Sequence, residues 1–193
     1  MKRIIAITGG IGSGKSVVRK MVEAMGFPVY DCDSRARKLM ESDIGMIGRI
    51  GAEVCAEAVI DNVTIDRCRL GNAVFGNPEL LSRLNSIVHG AVKTDVQQWI
   101  AGKNVAFIET AILYTSGLNQ LVNEVWEVIA PVELRVIRVA NRNPQLSEAD
   151  IRKRIDSQQS ESNFNERVAP TFEIVNDGFI PLLPQVESLI DKI

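Results

Sequence analysis

The segment from Gly9 to Ser16 reads GGIGSGKS and joins two strongly patterned stretches of the chain. Before it, Arg3 to Thr8 is an unbroken, β-rich apolar run, which predicts a buried parallel strand. After it, apolar side chains recur at helical spacing until Gly26, which predicts an amphipathic helix that stops there. This order of strand, glycine-rich turn and helix constrains the fold more than any other feature and indicates an α/β protein.

The glycine-rich turn matches the pattern GxxxxGK[ST], and it lies between a strand and a helix as that pattern requires. Glycines let the loop curl so that backbone N–H groups converge on phosphate oxygens, and the helix N-terminus adds favourable potential. We expect Lys15 to reach the β- and γ-phosphates of ATP, and Ser16 to bind Mg²⁺ through its hydroxyl. The alternative is a plain turn with an exposed lysine, which the flanking strand and helix disfavour. The predicted ATP-binding residues are Gly10, Ile11, Gly12, Ser13, Gly14, Lys15, Ser16 and Val17.

Strands and helices alternate through the rest of the chain. Further buried strands are predicted at residues 28–31, 105–108, 125–130 and 172–175. This alternation predicts a three-layer P-loop NTPase fold, in which helices cover both faces of an open parallel sheet. Ligands of such sheets bind at the carboxyl ends of the strands.

Two segments stand apart from the alternation. Residues from about 43 to 98 show helical spacing without a convincing strand, with Asn77-Pro78 before a helix, and are interpreted as a helical insertion. Residues from about 144 to 169 are predicted to form a lid, whose helix starts at Ser147 as N-cap with Asp150 reciprocating. Because the chain has 193 residues, we expect a single domain spanning residues 1–193.

The composition limits the classes of partner. A formal net charge of -2 provides no general attraction for nucleic acid or for an anionic membrane. No apolar stretch approaches the roughly 18 residues of a membrane span, and the 3 cysteines show no CxxC spacing. We therefore expect a cytoplasmic protein that binds small molecules rather than nucleic acid or membrane.

Carboxylates follow two of the predicted strands. Asp31 and Asp33 are two residues apart, so both can face the same way if the strand conformation continues. A carboxylate there can orient an acceptor hydroxyl and take its proton during phosphoryl transfer, and Asp33 is the stronger candidate. Helix capping is the alternative. Glu109 occupies the place of a Walker B acid, able to hold a magnesium-bound water or an acceptor group, or is a structural carboxylate at a strand end.

Cations are concentrated on the helix predicted to start at Pro131. Arg135, Arg138 and Arg142 share one face, where they can clamp transferring phosphates, although such stripes are usually solvated. Their position beside the lid favours a site role for Arg138 and Arg142. His89 is the only histidine, and by itself it is interpreted as structural.

Several segments together resemble the dephospho-CoA kinase family. They are ITGGIGSGKS, the DCD at residues 31–33, DRCRLGNAVF, LNSIVHG, FIETAILYTSGL, VIRVANRN, RIDSQQS and IVNDG, in the order in which the family has them. The resemblance covers most of the chain. The loop pattern is shared by many kinases, whereas the DxD motif and the histidine segment are more specific.

The resemblance implies transfer of the γ-phosphate of ATP to the ribose 3′-hydroxyl of dephospho-CoA, with Mg²⁺, which yields ADP and CoA in the last step of coenzyme A synthesis. It also implies a nucleotide-binding core, a helical CoA-binding region and a lid. By position, Asp33 resembles the catalytic base, Arg138 and Arg142 resemble the ATP-site arginines, and His89 resembles a histidine near the acceptor. Residues and resemblance together predict Asp33, Lys15 and Arg138 as catalytic, and Asp33, His89 and Glu109 as acceptor-binding.

The chain departs from the family pattern at four places. His89-Gly90 replaces a usual His-Pro, residues 111–115 read AILYT where PLLFE is common, Arg135 replaces a common glutamine, and Val17 replaces a usual threonine. Two other functions are considered. One is a P-loop kinase for another small acceptor, such as a nucleoside, a nucleotide or shikimate. The other is a nucleotide-switch binding protein, for which the chain lacks an Asn-Lys-x-Asp segment.

Overall fold

The computed structural model describes residues 2–162 and 169–193, with the backbone alone for residues 159–162. Its strands are β1 (Arg3–Thr8), β2 (Val29–Asp31), β3 (Val59–Ile60), β4 (Thr64–Ile65), β5 (Val105–Glu109), β6 (Glu124–Ile129) and β7 (Thr171–Val175). Its helices are α1 (Lys15–Ala24), α2 (Cys32–Ser42), α3 (Ile44–Glu53), α4 (Arg67–Val74), α5 (Pro78–Trp99), α6 (Val132–Arg142), α7 (Glu148–Ser162) and α8 (Leu182–Ile190).

The main sheet has five strands in the order β2-β5-β1-β6-β7. Strand β1 pairs in parallel with β5 and β6, and β6 pairs in parallel with β7. The sheet confirms the predicted α/β class, and each predicted strand agrees with the observed one to within a residue at either end. Continuous apolar runs are easy to recognise as strands because a parallel sheet buries both of its faces.

Helices α1 and α8 pack against one face of this sheet. Their contribution to the shared core is Val18 and Val22 from α1, and Val186 and Leu189 from α8. The strands contribute Ile5, Ile7, Phe107, Trp126, Val128 and Ile174. Phe107 and Trp126 meet edge to face, with ring centroids 5.0 Å apart. This packing anchors α1, and therefore holds the end of the glycine-rich loop from which α1 starts.

The chain divides into two compact units, one made of residues 1–30 with 100–193 and the other of Asp31–Trp99. The second unit contains α2 to α5 and has its own apolar core, centred on Met46, Ile50, Ala58, Leu70 and Ile87. It includes the predicted helical insertion and begins twelve residues earlier. Helix α5 starts with Pro78, as predicted, and the Leu80 amide donates to Asn77 Oδ1 at 3.2 Å.

Residues 43–98 also contain two short strands that the sequence pattern did not predict. Strands β3 and β4 form a two-stranded antiparallel hairpin, in which the Val63 amide donates to the Ile60 carbonyl. Asp61 and Asn62 occupy its turn with φ of 52° and 59°, the positive values that a tight hairpin turn requires. Each strand has two residues, too few to show an alternating pattern in the sequence.

The predicted lid helix corresponds to α7, which is preceded by Ser147. The Asp150 amide donates to Ser147 Oγ at 3.1 Å, and the Ser147 hydroxyl donates to Asp150 Oδ2 at 2.6 Å. Ser147 therefore caps the helix as predicted. The Asp150 carboxylate accepts from the Ser147 hydroxyl, however, rather than from the Ser147 backbone N–H. Residues 163–168 of the predicted lid lie outside the described residues.

Across the residues that the structure describes, no helix has both the length and the apolar character needed to cross a membrane.

Candidate functional site

The loop between β1 and α1 is built from backbone conformations that only glycine adopts readily. Gly12 has φ of 78°, and Gly14, which precedes α1, has φ of 105°. Neither glycine has room for a side chain. A Cβ on Gly12 would lie 2.7 Å from the Arg135 carbonyl oxygen, and a Cβ on Gly14 would lie 2.1 Å from Asn176 Nδ2. The Lys15 ammonium donates to the Gly10 carbonyl oxygen at 3.2 Å. The loop therefore has a defined shape, with its lysine folded over it.

A cavity of about 250 Å³ adjoins this loop. Gly9, Gly10 and Ser13 line it on the loop side. It is also lined by residues 111–115, which follow β5, and by residues 127–130 at the carboxyl end of β6. Ser13 Oγ is buried and has no hydrogen-bond partner among the described residues. A cavity at the carboxyl ends of parallel strands, with convergent polar groups, is where an α/β sheet holds a ligand.

The three arginines of α6 occupy different environments. Arg135 is buried, and its Nε donates to the Ile11 carbonyl oxygen at 2.9 Å. Arg138 Nη1 donates to the Asn176 carbonyl at 3.2 Å and reaches the Gly12 carbonyl at 3.4 Å. Arg142 is exposed at the end of the helix. The alternative of a solvated stripe is therefore wrong for Arg135, because the loop packs over the first turn of α6.

The lid helix also contacts the loop. The Ile11 amide donates to Gln158 Oε1 of α7 at 2.7 Å, while the Ile11 carbonyl accepts from Arg135. Helices α6 and α7 share an apolar cluster formed by Val136, Val139, Ile151 and Ile155, against which Ile11 packs. Both polar groups of one loop residue are thus held by side chains from these two helices.

Asp31 and Asp33 have different backbone settings. Asp31 ends β2 and caps α2, since its carboxylate accepts from the Ser34 amide at 3.0 Å and from the Ser34 hydroxyl at 2.8 Å. Asp33 is exposed in the first turn of α2. The expectation that both carboxylates face the same way as strand residues was wrong, because the helix begins at Cys32.

The other predicted acceptor-side residues are Glu109 and His89. Glu109, at the end of β5, forms an ion pair with Arg19 of α1, with Oε2 and Nε 2.7 Å apart. His89 lies half-buried within α5. The structure therefore brings the loop residues and Arg138 together in one unit, while Asp33 and His89 belong to the other.

Comparison with known proteins identifies the family of the chain. A family model described as dephospho-CoA kinase matches residues 3–181 of the chain. The chain belongs to the dephospho-CoA kinase family. A dephospho-CoA kinase of Bacteroides fragilis (strain YCH46) is 38% identical over 189 residues, which cover 96% of this chain and 90% of that protein. The prediction of an ATP-dependent kinase is thereby confirmed.

Solved structures agree with the fold of this family. The crystal structure of TT1252 from Thermus thermophilus superposes with a TM-score of 0.78 at 29% identity, covering 100% of this chain and 98% of that one. A dephospho-CoA kinase from Campylobacter jejuni has a TM-score of 0.69 at 22% identity, covering 100% and 97%. The P-loop kinase architecture predicted for the chain is therefore confirmed.

Three residues that shape the loop were not predicted to do so. For Arg135 a phosphate clamp and a solvated stripe were both left open, and no role was given to Gln158 or Asn176. Asn176 follows β7, and its Nδ2 donates to the Ser13 carbonyl at 2.7 Å. A polar residue directly after a buried strand was the available signal for Asn176, as it was for Glu109. Gln158 lies in the segment RIDSQQS of the family resemblance, but its spacing within the helix indicates no contact.

We expect Gly12→Ala to weaken the binding of ATP and ADP alike by about fivefold to a hundredfold, since a non-glycine residue at this φ costs about 1–3 kcal/mol. The added Cβ would also meet the backbone of Arg135. Isothermal titration calorimetry measures both affinities. Gly48→Ala is the matched control, because its Cβ meets no atom within 4 Å in an exposed part of α3. The control should bind nucleotide normally and gain about 0.5–1 kcal/mol of stability; equal affinities in the two variants would contradict the prediction.

Proposed function

We propose that the chain phosphorylates the ribose 3′-hydroxyl of dephospho-CoA with ATP, yielding CoA and ADP. The observation that carries this proposal is the family match over residues 3–181, which includes a loop shaped for a triphosphate. Cofactor and acceptor are small molecules in this proposal, with no role for nucleic acid or membrane. We also keep the prediction of a cytoplasmic enzyme whose units act as one kinase domain, with an acceptor-binding insertion and a lid.

On the nucleotide side, the proposed ligands of ATP are residues 10–17, together with Arg138 and Arg142. Backbone amides of the loop and Lys15 would hold the β- and γ-phosphates. Arg138 also holds the loop, since its guanidinium donates to the carbonyls of Gly12 and Asn176. Because no carboxylate neutralises it in these contacts, its charge remains available to a phosphate.

The donor set fits a magnesium–nucleotide complex. Ser16, in the first turn of α1, offers the hard hydroxyl oxygen that Mg²⁺ prefers, and phosphate oxygens and waters can complete the octahedron. No cluster of three or more His, Cys, Asp or Glu in the described part of the chain forms a cage of its own for a metal. Bound Mg²⁺ would offset negative charge on the phosphates.

On the acceptor side, we propose Asp33 as the general base, with His89 and Glu109 binding dephospho-CoA. Asp33 orients the 3′-hydroxyl and takes its proton as the acceptor oxygen forms a bond to the γ-phosphorus. The bond between that phosphorus and the β,γ-bridging oxygen breaks, and ADP leaves with the electron pair. Lys15 stabilises the charge that develops on the phosphoryl oxygens. The exposure of Asp33 fits a carboxylate that meets a substrate from solution.

The proposed role of Glu109 in binding the acceptor depends on its ion pair with Arg19. Its carboxylate already pairs with Arg19, so contact with an acceptor or a magnesium-bound water would compete with that ion pair. Residues 111–115 lie shortly after Glu109 in sequence and line the cavity.

An acceptor panel tests the proposed function. Purified protein is supplied with ATP and Mg²⁺ and, separately, with dephospho-CoA, a nucleoside, a nucleotide and shikimate, and ADP release is measured by a coupled assay. We expect turnover with dephospho-CoA that exceeds the others by at least about 100-fold, as expected for a site that hydrogen-bonds its own acceptor. Turnover confined to another acceptor would reject the substrate, and GTP preference without acceptor turnover would favour a nucleotide switch.

A further inference from the structure

Arg135 is a buried cation that is only partly paired. The residue is 6% exposed, and its Nε donates to the Ile11 carbonyl oxygen at 2.9 Å. Its Nη2 is buried and has no hydrogen-bond partner within the described residues. Leaving a charged donor buried and unpaired is costly, so such a group commonly serves a ligand.

The unpaired nitrogen lies beside the loop at Gly10. A Cβ on Gly10 would be 2.1 Å from Arg135 Nη2, so the guanidinium occupies the space next to the glycine Cα. The Lys15 ammonium reaches the carbonyl oxygen of the same glycine. Two cations from distant parts of the chain therefore converge on one loop residue, and the lysine of this motif contacts β- and γ-phosphates.

The cavity beside these cations suits an anion. Arg135, Gly10 and Ser13 line it, and Ser13 Oγ is also buried without a partner in the described part of the chain. Burial lowers the pKa of the Arg135 guanidinium, but arginine in proteins remains protonated at neutral pH. A cation in a space of low dielectric interacts strongly with a phosphate that enters it.

We propose that Arg135 is a further substrate-binding residue, whose Nη2 donates to the γ-phosphate of ATP while its Nε holds the Ile11 carbonyl. The inference rests on the proposed function for the ATP site alone and is independent of the acceptor. Since ADP lacks the γ-phosphate, the contact distinguishes the two nucleotides. The planar guanidinium can serve the carbonyl and the phosphate together, which a lysine ammonium in the same place cannot match.

The test compares the affinities of Arg135→Gln for ADP and for the β,γ-imido analogue of ATP, both with Mg²⁺ and without acceptor. We expect the affinity for the ATP analogue to fall by about tenfold to a hundredfold, as for a lost bond to a charged group. The affinity for ADP should stay within about threefold. In Arg135→Lys, the affinity for the ATP analogue should fall by less than in Arg135→Gln, and the affinity for ADP should again be little changed.

Arg152→Gln is the matched control. Arg152 lies on α7, pairs with Glu133 and Glu148 at the surface, and has no proposed ligand, so both affinities should match those of the unmodified protein. Equal losses for ADP and the ATP analogue in both Arg135 variants would overturn the proposal, because a residue that only shapes the loop affects both nucleotides. Unchanged affinities for both nucleotides in Arg135→Gln would also overturn it. Neither result depends on which acceptor the panel identifies.

Discussion

Replacing Asp33 by Asn should lower kcat by about 10²- to 10⁴-fold, the usual contribution of a positioned general base. The amide keeps the size of the carboxylate but cannot accept the proton of the acceptor hydroxyl. Affinity for ATP should stay within about twofold, since only a step that follows nucleotide binding is affected. Single-turnover kinetics and nucleotide titration separate the two effects.

Asp43→Asn is the control for this substitution. Asp43 caps α3 through a bond from the Met46 amide at 2.9 Å, and asparagine caps helices about as well as aspartate. The control loses one carboxylate from the same unit and should retain normal kcat. If Asp33→Asn turned over as fast as Asp43→Asn, Asp33 would not be the base.

The second large effect is expected for Lys15→Ala, which should lower kcat by at least about 10²-fold and also weaken ATP binding by about tenfold or more. Both change because the ammonium contacts phosphates in the bound substrate and stabilises the phosphoryl oxygens during transfer. Steady-state kinetics with varied ATP, together with calorimetry, measures the two quantities. The substitution also removes the hydrogen bond that Lys15 donates to the Gly10 carbonyl within the loop.

Lys20→Ala supplies the comparison for Lys15→Ala. Lys20 is exposed on the same helix and has no proposed contact with phosphate. Its removal should alter neither kcat nor ATP affinity. A Lys15 variant whose kinetics resembled those of the Lys20 variant would show that the loop binds phosphate without its lysine.

The sheet and the loop were predictable because their signals are local. A buried parallel strand is a continuous apolar run, and the spacing of the loop motif is set by the phosphate that it encloses. Helix starts were predictable where a side chain caps them, as at Ser147. The start of α2 is harder to locate from the sequence, because Asp31 is at once the last strand residue and the helix cap.

The environment of the arginines could not be predicted from spacing. Arg135, Arg138 and Arg142 share a face on a helical wheel, yet the first is buried and the last is exposed. What separates them is contact with residues more than 120 positions away in sequence, at Ile11 and Gly12. The bond from the Ile11 amide to Gln158 spans 147 positions, and no pattern within α7 reports it.

The glycines of the loop have a consequence for the order of folding. The groups that enclose Gly9, Gly12 and Gly14 belong to Val128, Arg135 and Asn176, which all lie far after the loop in sequence. Because synthesis proceeds from the N-terminus, these groups emerge later than the loop. A nascent chain that ends before β6 thus carries the whole motif without any of these groups, and one that ends before Asn176 still lacks the last of them. A nucleotide that requires the enclosed loop would therefore stabilise the chain only after Asn176 has been synthesised.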